Sequence, residues 1–344
     1  MKLRKTALIF GLLASISGLD TNLTHAAETM PAYQLVRTVS LGGPDRWDYV
    51  TYDSVQHRVY VAHGAETTVV DSETGKLIGR IKSGGTGHGI VVLPALNLGF
   101  ADNSDPSSVT VFNLDTLKII KKIALKAADS DAMTYDPASQ RVVVIGGDSG
   151  VVTLIDPVSL RVTASIPLGG KAESPAVDGH GNLYVNLVDD QEVVRVNTQS
   201  LKVTARWKIS QCAKPHGLAM DVAHQRLFAT CHNNRMLVLD SANGHVLDSL
   251  PIGSGSDAAV FDAKRGIAFS SNRDGTLSMI AERNPQSFDA LTPVKTAPGA
   301  RTMAIDPETS RVFVVTGDVD STSNASKMHF KPDSLHLMTY EAQP

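Results

Sequence analysis

Short runs in which apolar, mostly β-branched or aromatic residues dominate recur along the chain: VYV at 59–61, VVVI at 142–145, LYVN at 183–186 and VFVV at 312–315. Each run is only a few residues long and is bounded by Asp, Gly, Pro or Asn, the pattern of buried strands between tight turns. Helical periodicity of any length is absent. The fullest copy of the pattern is residues 212–250. It predicts strands at Leu218–Met220, Arg226–Thr230, Met236–Leu239 and His245–Leu250, with turns at Asp221–Gln225 and around Gly244 and a polar loop at His232–Arg235.

Two markers show that this unit repeats. An Asp or Asn closes an apolar run at Asp71, Asn113, Asp156, Asn197 and Asp240, at intervals of 42, 43, 41 and 43. A second aspartate closes the preceding hairpin at Asp53, Asp136, Asp178, Asp221, Asp262 and Asp306, at intervals of 83, 42, 43, 41 and 44. The value of 83 is two periods with a degenerate copy at Leu93. Independent markers with one period near 42, and four strands per unit, predict the blades of a propeller packed around a channel. The inner strands begin near residues 48, 88, 131, 173, 216, 257 and 301, which makes seven blades. The last unit lacks an outer strand after Leu335–Tyr340, and Tyr33–Val39 is spare, so the expected fold is an all-β, seven-bladed β-propeller of four-stranded antiparallel blades whose N-terminal strand completes blade seven. Such closure removes a free sheet edge.

The segments RVYVAHGAETTVVDSETGKLIGRI (58–81) and CAKPHGLAMDVAHQRLFATCHN (212–233) resemble YVTN-type propeller repeats of the exported, YncE-like branch. The resemblance covers the expected mature chain. It implies the propeller fold and leaves activity open, because similar architectures serve as exported binding modules, cell-surface proteins, electron-transfer subunits and, in a neighbouring group, lactonases.

The first 26 residues read as a secretory signal peptide. Lys2, Arg4 and Lys5 precede the apolar run Ala7–Leu19, and Thr24-His25-Ala26 has the small residues of a cleavage site. The expected domains are therefore a signal peptide (1–26) and a single propeller (27–344), with a periplasmic or secreted location. Cleavage would take the formal charge from −3 to −5. That balance, with only 5% aromatic residues, argues against nucleic-acid binding. No later segment has transmembrane length, and a monomer is expected.

Candidate chemistry lies five residues before each of the six hairpin aspartates and before Leu93 of the degenerate copy: Asp48, His88, Asp131, Glu173, His216, Asp257 and Arg301. Every copy is charged or titratable, one per blade, preceding the innermost strand and so ringing one channel mouth. The residues form either a solvated, mutually paired rim or a ligand or ion site. Four carboxylates against Arg301 and two histidines favour a cation or a cationic ligand. A second set, on the loops between strands two and three, should emerge on the same face: His63, Asn103, Asp148, Asp189, His232 and Asn272. Imidazoles at His63, His88, His216 and His232 could ligate a divalent metal, although no HxH, HxxxH or CxxC spacing supports one. His57, His180, His224 and His245 fall in other turns and suggest no chemistry. Cys212 and Cys231, two cysteines in an exported chain, are expected to pair. Blade seven replaces a short loop with Gly317–Ser334, where Lys327, His329 and Lys331 could form a lid or the segment could be disordered. The sequon Asn324-Ala325-Ser326 carries little weight beside a bacterial-looking signal peptide.

Three functions are open. One is a module binding a small ligand, an ion or a protein partner at the mouth. The second is a lactonase-like hydrolase in which His88 or His216 acts as base and Arg301 steadies the oxyanion, or in which carboxylates and Asn103 and Asn272 hold calcium. The third is the subunit of a redox assembly. GxSxG, HExxH, P-loop and CxxCH motifs are absent.

Overall fold

The computed structural model describes residues 32–323 and 328–343. The expected signal peptide, Lys327 and the whole sequon Asn324-Ala325-Ser326 lie outside the described residues. Strands form seven sheets in ring order, and each of the first five blades is a consecutive four-stranded antiparallel meander. Blade five, for example, comprises Pro215–Asp221, Arg226–Cys231, Arg235–Asp240 and Val246–Pro251 from the channel outwards. Blade seven takes Thr302–Ile305, Val312–Thr316 and His336–Ala342 from the C-terminal end. Its outer strand is Tyr33–Ser40, with Tyr33 opposite Ala342 and Ser40 opposite His336. The two ends of the fold are thus hydrogen-bonded into one sheet, and the edge of His336–Ala342 is covered.

Both faces of every blade meet another blade, so the middle strands are apolar on both sides. Tyr60, Val69 and Ile81 of blade one pack against Ile90, Ala101 and Phe112 of blade two, and Val143, Ile145 and Leu154 of blade three against Leu183, Val185 and Val194 of blade four. Outermost strands have only one covered face, and Lys202–Lys208 accordingly alternates between exposed and half-buried positions. The degenerate copy in blade two has a structural reason. Leu93 cannot cap a turn, and the chain instead turns through a short 3-10 segment, Pro94–Leu96, ending at Asn97 with φ 55°.

Two details differ from the expected pattern. The outer edge of blade six is split: Thr276–Asn284 pairs with both Ser287–Ala290 and Val294–Lys295. In blades three to six the inner strands also start earlier than the apolar pattern suggests. Asp131, Glu173, His216 and Asp257 are each the second residue of a strand rather than lying before it. The register slips at each of these places, between Ser130 and Ala132, Ala172 and Pro175, Pro215 and Leu218, and Ser256 and Ala258. Such bulges re-aim a side chain without ending the strand. Among the described residues, no helix is long and apolar enough to cross a membrane.

Candidate functional site

The seven residues of the first set lie on one rim, and their side chains keep similar exposures, between 15 and 22%. Close blade contact brings them together. A Cβ added to Gly89 would lie 2.6 Å from the Met133 nitrogen, and one on Gly217 2.6 Å from the Ala259 nitrogen. Glycine after each mouth histidine therefore lets the next blade's inner strand approach. The rim encloses a cavity of about 210 Å³ lined by Asp48, Asp131, Glu173, His216, Asp257 and Arg301, together with Tyr49, Arg273 and Thr302.

Tyr49 is the floor. Its hydroxyl reaches from blade one to Ser174 Oγ of blade four at 2.9 Å, and it separates the charged cavity from a lower one of about 170 Å³ lined by Met133, Leu218, Val260 and Met303. The sequence does carry a signal for this residue. The positions after the seven rim residues are Tyr49, Gly89, Ala132, Ser174, Gly217, Ala258 and Thr302, so one large side chain stands among six small ones.

Ion pairing around the rim is uneven. His88 Nδ1 lies 2.6 Å from Asp48 Oδ2 and 3.3 Å from Asp131 Oδ1. Arg301 Nε lies 2.7 Å from Asp257, and the same guanidinium donates to the Trp47 carbonyl at 3.1 Å. Between these two groups stands Glu173, whose nearest ion-pair partner is His216 Nε2 at 3.7 Å. His216 Nδ1–H donates to the Lys214 carbonyl at 3.0 Å. Adjacent blades three and four thus present two acids side by side. Burial, and then the charges of Asp131, Asp257 and Asp48, push Glu173 up to about 9. Burial and Asp48 push Asp131 up to about 7. For His88, burial opposes the charged form but the Asp48 carboxylate outweighs it, raising the imidazole to about 9. Beneath His88, the buried Asp102 accepts the backbone N–H groups of His88 and Gly89 at 2.8 and 2.9 Å. This acid interrupts an otherwise apolar strand start, Leu98–Ala101, the one trace of its role in the sequence.

The second set does not form a ring. His63 is fully buried: its Nε2–H donates to the Pro44 carbonyl at 2.8 Å and its Nδ1 accepts from Thr68 Oγ1 at 2.9 Å. With both nitrogens engaged it is not a metal ligand, and burial lowers its pKa. Asn103 is buried against Thr110 Oγ1 at 3.2 Å. Asn272 is buried and donates to Thr276 and Ser278, closing its own turn, so neither asparagine is placed to coordinate calcium. Asp189 lies in an exposed turn, and Asp148 pairs with Lys171 at 2.7 Å. Only His232 joins the mouth, its ring stacked on His216 with centroids 4.0 Å apart; burial and then His216 lower its pKa. Of the four histidines considered for a metal, His88 alone has two carboxylates within reach, in the group Asp48, His88 and Asp131. That trio could hold a divalent ion if His88 gave up its proton. A disulfide joins Cys212 to Cys231, with Cα atoms 5.0 Å apart. It fixes the strand start carrying His216 to the strand end next to His232.

A larger cleft, about 580 Å³, opens beside the rim and shares Asp48 and Arg301 with it. Its walls include Arg46, Trp47, His88, Met328, His329 and Phe330. The last three come from the long blade-seven loop. Phe330 meets Trp47 edge-on at 4.6 Å, and Asp333 accepts the Gly43 N–H at 2.9 Å. The described parts of this loop are therefore anchored to blade one. Lys331 is not among the cleft residues.

The fold and rim define a seven-bladed β-propeller with a charged, floored channel mouth. Within that class, part of the chain is similar to YncE proteins. It is 28% identical to the uncharacterized protein YncE of Escherichia coli K12 over 33% of this chain and 34% of that one. With YncE of Salmonella typhimurium LT2 it shares 26% identity over 53% of each chain. The matches thus span from a third to about half the length of these curated relatives. No protein-family model matches. A solved chain of Kuenenia stuttgartiensis hydrazine synthase superimposes with a TM-score of 0.69 at 14% identity, covering 81% of this chain and 94% of the other, and shows the fold alone.

Proposed function

We propose that this protein is a binding module whose channel mouth takes the cationic group of a small ligand, with the rest of the ligand in the adjoining cleft. The observation carrying this reading is the juxtaposition of Asp131 and Glu173 on neighbouring blades, above the Tyr49 floor, where Asp131 has only a share of His88, which lies closer to Asp48, and Glu173 has only His216 at 3.7 Å. Two half-buried acids in that position hold a proton or receive a positive charge, since leaving both ionised costs energy. The cleft volume lies in the range of small-molecule sites, and its Trp47, Met328 and Phe330 wall suits an apolar body. Thermal denaturation in the presence of 1,4-diaminobutane, tetramethylammonium and acetate tests the idea. The amines should raise Tm in the wild type, acetate should not, and Glu173→Gln should abolish the response. Stabilisation by acetate, or an unchanged amine response in Glu173→Gln, would overturn it.

The hydrolase reading has less support. A general base must be unprotonated at working pH, and the imidazole best placed between carboxylates, His88, is held as a cation up to about pH 9. Export is part of the proposal: it is supported by the leader-like composition of residues 1–26 and by the disulfide, which suits an oxidising compartment.

A further inference from the structure

We propose that Asp221, His224 and Glu282 form a binding site for a first-row divalent metal ion of the zinc type, on the face of the propeller opposite the mouth. The hairpin joining the first and second strands of blade five carries Asp221 and His224, at the far end of the inner strand from His216. Glu282 reaches it from the third strand of blade six. His224 Nδ1 lies 2.7 Å from Asp221 Oδ2 and 2.8 Å from Glu282 Oε1. One ring nitrogen thus faces two carboxylates, and the donor atoms all lie within 4.8 Å of one another.

The repeat explains why these groups are left over for a ligand. In blades three, four and seven the second oxygen of the hairpin aspartate is taken by a neutral donor, whereas Asp53 Oδ2 of blade one and Asp262 Oδ2 of blade six have no hydrogen-bond donor and no histidine on them. Asp136 Oδ2 accepts from Thr198 Oγ1 at 2.5 Å, Asp178 Oδ2 from Asn182 at 2.6 Å and Asp306 Oδ2 from Thr309 at 2.5 Å. In blade five that oxygen faces His224 instead. Glu282 stands 42 residues after Asp240, in the column whose aspartates cap their own turns through backbone N–H groups, as Asp71, Asp156 and Asp240 do. Blade six does not turn there. Its strand runs on to Asn284, which accepts the Gln286 N–H in place of Glu282. The longer glutamate side chain is released from capping and points into the neighbouring blade. It is 1% exposed, and neither carboxylate oxygen has a hydrogen-bond donor of normal geometry.

A buried, undercompensated carboxylate aimed at an imidazole and a second carboxylate is a charge deficit that a dication fills. One imidazole nitrogen with two carboxylates suits zinc or a neighbouring transition ion better than magnesium or calcium. Metal–ligand bonds of about 2.0–2.2 Å place tetrahedral donors roughly 3.3–3.5 Å apart, so the three groups must spread by roughly 0.5–0.8 Å. His224 can supply that movement, being on a turn with 47% of its side chain exposed, and that open side leaves room for water ligands.

The test is calorimetric titration of chelator-stripped full-length protein with Zn²⁺, alongside Mg²⁺, for the wild type, His224→Ala, Glu282→Gln and His88→Ala. The wild type and His88→Ala should each bind one equivalent of Zn²⁺ at this face and discriminate against Mg²⁺, whereas His224→Ala and Glu282→Gln should weaken that binding at least tenfold. His224 is exposed and glutamine preserves the shape of Glu282, so both variants should fold, which circular dichroism checks. The proposal fails if the wild type binds no Zn²⁺, if His224→Ala and Glu282→Gln bind it as the wild type does, or if only His88→Ala loses it.

Discussion

Two sets of polar residues approach the same face of this propeller on neighbouring segments of each blade, and they have opposite physical characters. His63, Asn103 and Asn272 are almost wholly buried, and their polar atoms are used up by partners such as Pro44, Thr68, Thr110 and Thr276. The rim residues keep 15–22% of their side-chain surface and are incompletely paired, most obviously where Asp131 and Glu173 face each other. A satisfied buried group contributes to stability and leaves nothing for a ligand. A crowded, half-buried and unmatched group detracts from stability and is available for binding. Substitutions in the two sets should therefore move stability in opposite directions.

The largest effect belongs to the satisfied set. His63→Ala leaves the Pro44 carbonyl and Thr68 hydroxyl without partners and should cost about 2–4 kcal/mol in chemical denaturation, while the amine response at the mouth persists. Glu173→Gln should instead stabilise the protein at pH 7, by roughly 2–3 kcal/mol. A gain in His63→Ala or a loss in Glu173→Gln would erase the contrast.

The same contrast sets the pH dependence. In the unfolded chain Glu173 and Asp131 ionise near the ordinary carboxylate range, whereas in the fold they retain protons to about pH 9 and 7. The native state then binds more protons, so stability falls as pH rises from about 4 towards 9. His88 acts in the same sense, because the stabilisation from its raised pKa is present below about 6.5 and is lost as pH rises through about 9. Denaturation curves at pH 5, 7 and 9 should show a steady decline in the wild type and a shallower one in Glu173→Gln. A flat wild-type profile would mean that the rim charges are compensated after all. The smallest effect is at the cleft: Phe330→Ala removes an edge-on aromatic contact with Trp47 and should weaken amine binding by about 0.5–1.5 kcal/mol, with His63→Ala as the unaffected reference.

The contrast was only half legible in the sequence. The period near 42, the seven blades and the closing strand follow from turn aspartates and strand patterning, both of which are local. The rim column was also legible, because a repeat aligns equivalent positions and seven charged residues in one column stand out. The bulges that aim Asp131, Glu173, His216 and Asp257 were hidden, since a register slip depends on the partner strand. The second set was misread because polarity at a loop position does not reveal a partner elsewhere: His63 is satisfied by Pro44, 19 residues away and outside its own hairpin. Tyr49 was there to be found, as the one bulky member of a column of small residues, but its role requires knowing that Ser174 lies opposite across the channel.

The central claim, that Asp131 and Glu173 hold protons in place of a ligand's positive charge, is most directly tested by calorimetry of 1,4-diaminobutane binding at pH 7 in buffers of differing ionisation enthalpy. The account predicts that binding releases about one proton, as Glu173 ionises on meeting the ammonium group, and that this release disappears in Glu173→Gln. Binding without proton release, or no binding at all, would contradict it.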